Sequence, residues 1–235
     1  VNVRSPDLFR QILFARKGQL CPNITTFAGD GTDVRDLTRA EVKLRKDIWE
    51  IMRFCGENVP GFQSSYIEKF PPQVGVRETR RIVGEYVLTA DDILTRQKFE
   101  DTIALCSWYI DIPCPLGRPL VGACWSQCKA EPPCDMMKAG KGATSLKQLS
   151  TPKGTWYQIP YRCLVPKKID NLLASGRCIS VTHEAHGGTR CMATCMAIGQ
   201  AAGTAAAMAV EKTVKPRELE GRFVRETLRQ DGAMV

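Results

Sequence analysis

The sequence predicts an α+β fold, and three observations predict it. The first is the order of segments from Asn171 to Val210: a short apolar run, Leu172 to Gly176, then a polar loop, then a helix of small residues. Apolar strand, glycine-bearing loop and small-residue helix together make a βα unit, which aims the N–H groups of a helix N-terminus at an anionic or electron-rich ligand. The second is a charged amphipathic helix, Leu37 to Phe54, early in the chain. The third is a pair of strand-like stretches, Gln73 to Leu88 and Trp156 to Val165.

Each element has its own signal. Asp7 to Lys17 places Leu8, Ile12 and Leu13 at helical spacing. In Leu37 to Phe54, Thr38 is positioned to cap, Glu41 follows three residues later, and Val42, Leu44, Ile48, Ile51 and Met52 supply apolar faces. Gly56 and Pro60-Gly61 end that helix, and Phe70-Pro71-Pro72 makes a break. Asp91-Asp92 can start a helix running through Ile103, Ala104 and Leu105. Residues 111–150 are rich in glycine and proline and poor in apolar runs, so they read as a cysteine-rich loop region. Arg177 to Arg190 is a polar loop with both histidines and the Gly187-Gly188 pair, and Cys191 to Val210 carries no charge. Beyond Lys215-Pro216, Glu218 to Arg229 makes a charged terminal helix. These elements fall into two stretches, residues 1–155, which include the cysteine-rich loop, and residues 156–235.

A chain of 235 residues with 43% hydrophobic and 25% charged residues has the composition of a globular protein rather than a disordered one. Its net charge of +8 favours anionic partners. The basic residues are scattered among acidic ones, as from Arg35 to Lys46, and no nucleic-acid-binding module is visible, so no nucleic acid is expected. The uncharged run is about as long as a membrane span, but Ala, Gly and Thr with Gln200 at its middle give it a weak drive into hydrocarbon, so no membrane is expected. Eleven cysteines, an odd number, and an N-terminal stretch broken by Arg4, Arg10, Arg16 and Lys17 point to reduced thiols and a cytoplasmic setting.

Several long words resemble one family. They are Ile159-Pro160-Tyr161-Arg162 with Leu164-Val165-Pro166, Gly176-Arg177-Cys178-Ile179-Ser180, Thr182-His183-Glu184-Ala185, and Thr194-Cys195-Met196-Ala197 continuing to Gly199-Gln200-Ala201-Ala202-Gly203-Thr204-Ala205. Gly75 to Thr89 and the Asp30-Gly31-Thr32-Asp33 turn add to them. All resemble the later part of the FAD-dependent oxidoreductase family. The resemblance implies a partial FAD-binding (Rossmann-like, glutathione-reductase-type) fold with a substrate-domain portion, FAD as cofactor, and hydride transfer between a substrate and the flavin. It also carries cofactor contact onto Gly176, Arg177, Arg190, Met192, Thr194, Cys195 and Met196. Ala193 stands where a proline is expected just before Thr194, which loosens the helix start without removing a ligand.

Candidate catalytic residues are Arg77, Arg80, His183 and His186. Arg77, Arg80 and Arg81 cluster in the second matched block, where guanidinium groups suit a small anionic substrate, and an unbroken strand would place Arg77 and Arg81 on one face. The same arginines could equally pair with Glu78 and Glu85 on an exposed edge. His183 and His186 could carry protons at the flavin or simply be hydrogen-bonded within the structure. No metal site is assigned. Cys114, Cys124, Cys128 and Cys134 lie close together, but no C-x-x-C occurs and their spacing fits no metal motif.

A dinucleotide site also needs G-x-G-x-x-G after a strand, and the sequence has none; Gly29-x-Gly31 and Gly140-x-Gly142 both lack the third glycine. The expectation is therefore a partner chain or a missing N-terminal segment that carries the pyrophosphate-binding motif. The alternative is a cysteine-rich metal-binding or scaffold subunit that does not bind FAD.

Overall fold

The computed structural model describes residues 18–22, 24–112 and 152–235, and it is mixed α and β. The described residues divide into two compact units, one formed by residues up to Thr79, the other by Arg80–Ile112 with residues 152–235. The Asp7–Lys17 stretch and the cysteine cluster Cys114 to Cys134 lie outside the described residues.

In the first unit, helix α1 spans Val34–Asn58. Its cap is Asp33, whose side chain accepts from Arg35 N at 2.8 Å, rather than Thr38. The turn before it explains the shift: Asp30 Oδ1 accepts from both the backbone N–H and the hydroxyl of Thr32, so the helix begins at Val34 rather than Leu37. Thr38 instead donates to Val34 O, and Glu41 accepts from Val74 N and pairs with Arg45. Ile24, Ile51 and Cys55 form a small core with Val59 and Phe62 against it.

The second unit begins within Gln73 to Leu88, the stretch expected to form one or two strands. Residues 82–88 form no strand: they bend at Glu85–Tyr86 and pair with neighbouring segments through single backbone hydrogen bonds and two isolated bridges, Gly84 with Pro166 and Leu88 with Val181. The predicted boundary at residue 155 is displaced for a related reason. Strand β1, Thr102–Cys106, pairs antiparallel with β2, Tyr157–Pro160, so 80–112 packs with the C-terminal residues as one body. The helix expected from Asp91 through Leu105 is cut to α2, Ala90–Thr95. Arg96 at φ +57° ends it in the left-handed region, and the buried apolar run Ile103 to Cys106 goes into β1.

Among the described residues this antiparallel pair is the only sheet, so the parallel Rossmann-like arrangement implied by the resemblance is not present there. No strand precedes the small-residue helix either: Leu172 to Ser175 is irregular and Gly176–Cys178 is a single 3₁₀ turn. The expected polar loop contains its own helix, α3, His183–Thr189, capped by Thr182, whose hydroxyl accepts from Ala185 N. Helix α4 then spans Met192–Glu211 and α5 spans Gly221–Gln230. The buried side of α4, from Thr194 and Ile198 to Ala205, Met208 and Ala209, packs on β1 and α5, which adds Val224 and Leu228 to the core. By length and composition alone α4 could also cross a membrane, with a third of its apolar window buried within the protein.

Candidate functional site

The site grows from the way segment 82–88 lies along 178–182. Ile82 N donates to Cys178 O, Leu88 N to Ser180 O, and Thr182 N back to Leu88 O. Gly84 is required here, because a Cβ would stand 2.7 Å from Ser180 Cβ and about as close to two backbone carbonyls. This pairing brings Arg81 to the start of α3. Of the three clustered arginines it is Arg81 whose charge acts on His186, while Arg80 is exposed and Arg77 belongs to the first unit.

His186 is 2% exposed. Burial, then the charges of Arg81 and Arg190, push its pKa down to about 4, against a raising interaction with the Arg177 backbone. The imidazole is therefore neutral near physiological pH. Burial lowers the Arg81 guanidinium, and Glu184 offsets part of that. His183 sits half-buried one turn before His186.

Arg190 ends α3 and joins it to the residues after β1. Its Nη2 donates to Asp111 Oδ2 at 2.7 Å and to Asp111 O at 3.0 Å, with both side chains largely buried. Gly187 lies against the Asp111 backbone, leaving only 3.0 Å for a Cβ. Gly188 lies against Tyr157 Oη, where a Cβ would be 2.6 Å away. The Gly187-Gly188 pair thus serves close helix-to-strand packing rather than loop flexibility.

Cys106, at the end of β1, closes the other side. Tyr157 Oη donates to its Sγ at 3.0 Å and Trp108 N at 3.4 Å; the thiol donates toward Gly188 O at 3.5 Å and shares a hydrogen bond with Thr194 Oγ1 at 3.2 Å. Burial and the neighbouring thiol raise the Tyr157 hydroxyl well above its ordinary value, which keeps it a donor. Thr194, buried in the first turn of α4, is therefore fixed by Cys106, and Cys195 Sγ lies 3.7 Å from Thr189 O.

Helix α4 starts with no side-chain cap: Cys191 is its N-cap residue and makes no such bond. Its macrodipole is equivalent to about half a positive charge at that end. Met192 and Met196 cover the first two turns and are 85% and 74% exposed. Gly176, at φ +71°, and the exposed Arg177 belong to the 3₁₀ turn packed against the same helix. The seven cofactor-contact residues carried over from the resemblance thus lie on three neighbouring pieces of one unit: the turn, the end of α3 and the first turns of α4. Among the described residues, no group of three His, Cys, Asp or Glu side chains is placed to hold a metal ion.

A family model described as FAD dependent oxidoreductase matches residues 4–228. The chain belongs to that family. No curated protein and no solved structure matches it. The sequence lacks the glycine-rich G-x-G-x-x-G motif that cradles a dinucleotide pyrophosphate.

Sequence reasoning named Arg190, Thr194 and the histidines, and the structure sets beside them Asp111, Cys106 and Tyr157, which that reasoning did not name as candidates. Asp111 had a signal, because it stands where the family pattern is expected to carry Ile-Asp-His and here reads Asp111-Ile112-Pro113. Cys106 and Tyr157 had none, being single apolar-looking residues in short strands.

Proposed function

We propose that this chain supplies the flavin-ring and substrate side of a FAD-dependent oxidoreductase, and that a partner chain or a further segment carries the pyrophosphate-binding motif. One observation carries the reading: a long helix begins without a side-chain cap, with exposed methionines, directly after a cluster of arginines and histidines. When bound, the flavin would accept a hydride from a small anionic substrate. The α4 N-terminus would stabilise the negative charge that builds up on the ring, as a preorganised dipole does without reorganising. Arg190, held by Asp111, and Thr194, held by Cys106, would fix the position of that N-terminus. Arg81 would attract the substrate's anionic group. His186, buried and neutral, suits holding position by hydrogen bonding better than turning over protons. Half-buried His183 is then the proton carrier.

Comparing ligands that share a ring but differ in the rest tests the reading. Riboflavin, FMN and FAD should bind the full chain with similar affinity, and ADP should not compete, because the contacts are to the ring. Much tighter binding of FAD, displaced by ADP, would overturn it.

A further inference from the structure

The seven described cysteines are all free thiols, and Cys106, Cys191 and Cys195 gather where β1 meets the start of α4. Two of the three are brought together by the same atoms. Cys106 Sγ is bonded to Gly188 O, three residues before Cys191, and to Thr194 Oγ1, three residues after it. The sulfur therefore spans the bend that Cys191 makes as the N-cap residue of α4. One hydroxyl reports on both thiols: burial raises Tyr157, and Cys106 and then Cys191 add to the effect. The two thiols also act on each other, since Cys106 raises Cys191 beyond what burial does.

Cys195 is turned elsewhere. Its Sγ lies toward Thr189 O, and after burial it is Arg177 that acts on it most, ahead of Cys106. Side chains one helical turn apart also hold their Cβ atoms about 5–6 Å from each other, where a disulfide needs about 4 Å, so Cys191 and Cys195 are poorly placed to join. Cys106 and Cys191 come from different elements and carry no such restriction. They differ in access: Cys106 is 5% exposed, whereas Cys191 is half-buried and makes no capping bond.

We propose that Cys106 and Cys191 are a reversible dithiol–disulfide pair that responds to peroxide, with Cys191 reacting first and Cys106 closing the bond. Cys191 Sγ attacks one peroxide oxygen and the O–O bond breaks, giving a sulfenic acid and water. Cys106 Sγ then attacks the Cys191 sulfur, the S–O bond breaks, and a second water leaves with the Cys106 proton. The two thiols lose two electrons and the peroxide is reduced to water. Burial holds the Cys191 thiol above its ordinary value, with Arg190 pulling it down, which suits slow oxidation by sustained peroxide over fast scavenging. Closing the bond removes the hydrogen that Cys106 gives to Gly188 O and ties β1 covalently to the N-cap of α4. Oxidation thus changes how the open end of that helix is held. The proposal needs only thiols and peroxide, so it stands apart from the flavin reading.

Peroxide treatment of the full chain, alkylation without reduction, digestion, and sequencing of the cross-linked peptides by fragmentation test it. The expected link joins Cys106 to Cys191, opens with dithiothreitol, persists in Cys195→Ala and is lost in Cys191→Ala. Because Cys191 makes no capping bond, Cys191→Ala should keep the wild-type circular dichroism spectrum, so loss of the link is not loss of the fold. A link from Cys191 to Cys195, a Cys106 that still alkylates fully after peroxide, or a Cys191 sulfenic acid that persists and is captured by dimedone would each overturn the proposal.

Discussion

Helices α1 and α4 are the two longest among the described residues, and they satisfy themselves in opposite ways. Helix α1 is capped by Asp33, carries Asp36 in its first turn, and laces its surface with Glu41–Arg45 and Lys43–Asp47 pairs one turn apart. Helix α4 has neither cap nor charge at its start and places Met192 and Met196 in solvent. Its opening turn is instead held from outside, by Cys106 on Thr194 and by Asp111 on Arg190. A helix that ends its own N-terminus needs nothing from a ligand; one that leaves it open and has its neighbours hold it in place offers that end to one. On the reading proposed above, α1 is structural and α4 is the helix that meets the flavin.

The largest effect should come from removing the external support of α4. Asp111→Asn leaves the Arg190 charge largely buried without its carboxylate. We expect a loss of about 2–4 kcal/mol in denaturant unfolding of the second unit, with flavin binding lost alongside. No comparable loss is expected from Arg45→Ala, whose pair with Glu41 on α1 is partly exposed on both sides.

Next is Gly188→Ala, which drives a methyl group against Tyr157 Oη and should cost roughly 1–3 kcal/mol. Gly199→Ala and Gly203→Ala are its controls. Neither glycine has any atom within 4 Å of where a Cβ would stand, so each change should stabilise the chain by about 1 kcal/mol in thermal melting.

The expectations from sequence went as far as local signals reach. The uncharged composition of Cys191 to Val210 was enough for α4, and the start of that helix fell where the resemblance put it. The strand at Leu172 to Gly176 was misread, because an apolar run of that length also suits the irregular packing that Gly176's positive φ completes. The polar loop was misread as well: Thr182 before His183-Glu184 is a helix start that two glycines disguised. In the site, contacts such as Cys106 to Thr194 span 88 residues, and no spacing rule reaches across that separation. Arg81 was seen, but as one of three; only the pairing of 82–88 with 178–182 singles it out.

A pH titration sharpens the same contrast. With His186 depressed to about 4 in the fold, the unfolded chain binds the extra proton between its ordinary value near 6.5 and 4. Stability is therefore full above about pH 6.5 and falls as pH drops toward 4, by on the order of 1–3 kcal/mol. His186→Gln should flatten that slope in acid unfolding curves followed by tryptophan fluorescence. The smallest effects belong to the caps themselves. Asp33→Ala should lose about 1 kcal/mol from α1, whereas Cys191→Asp should gain about as much in α4 while weakening flavin binding, because the new carboxylate takes the N–H groups the flavin would use.

The absorbance spectrum of the protein purified from its natural source, with its native mass, tests most directly whether α4 serves a flavin. An oxidised-flavin band in a complex heavier than the 26.1 kDa chain, bleached by dithionite and weakened with Cys191→Asp, is the expected result. A colourless preparation in which the variant changes nothing but stability would contradict it, and would make the open end of α4 an unfinished helix and no more.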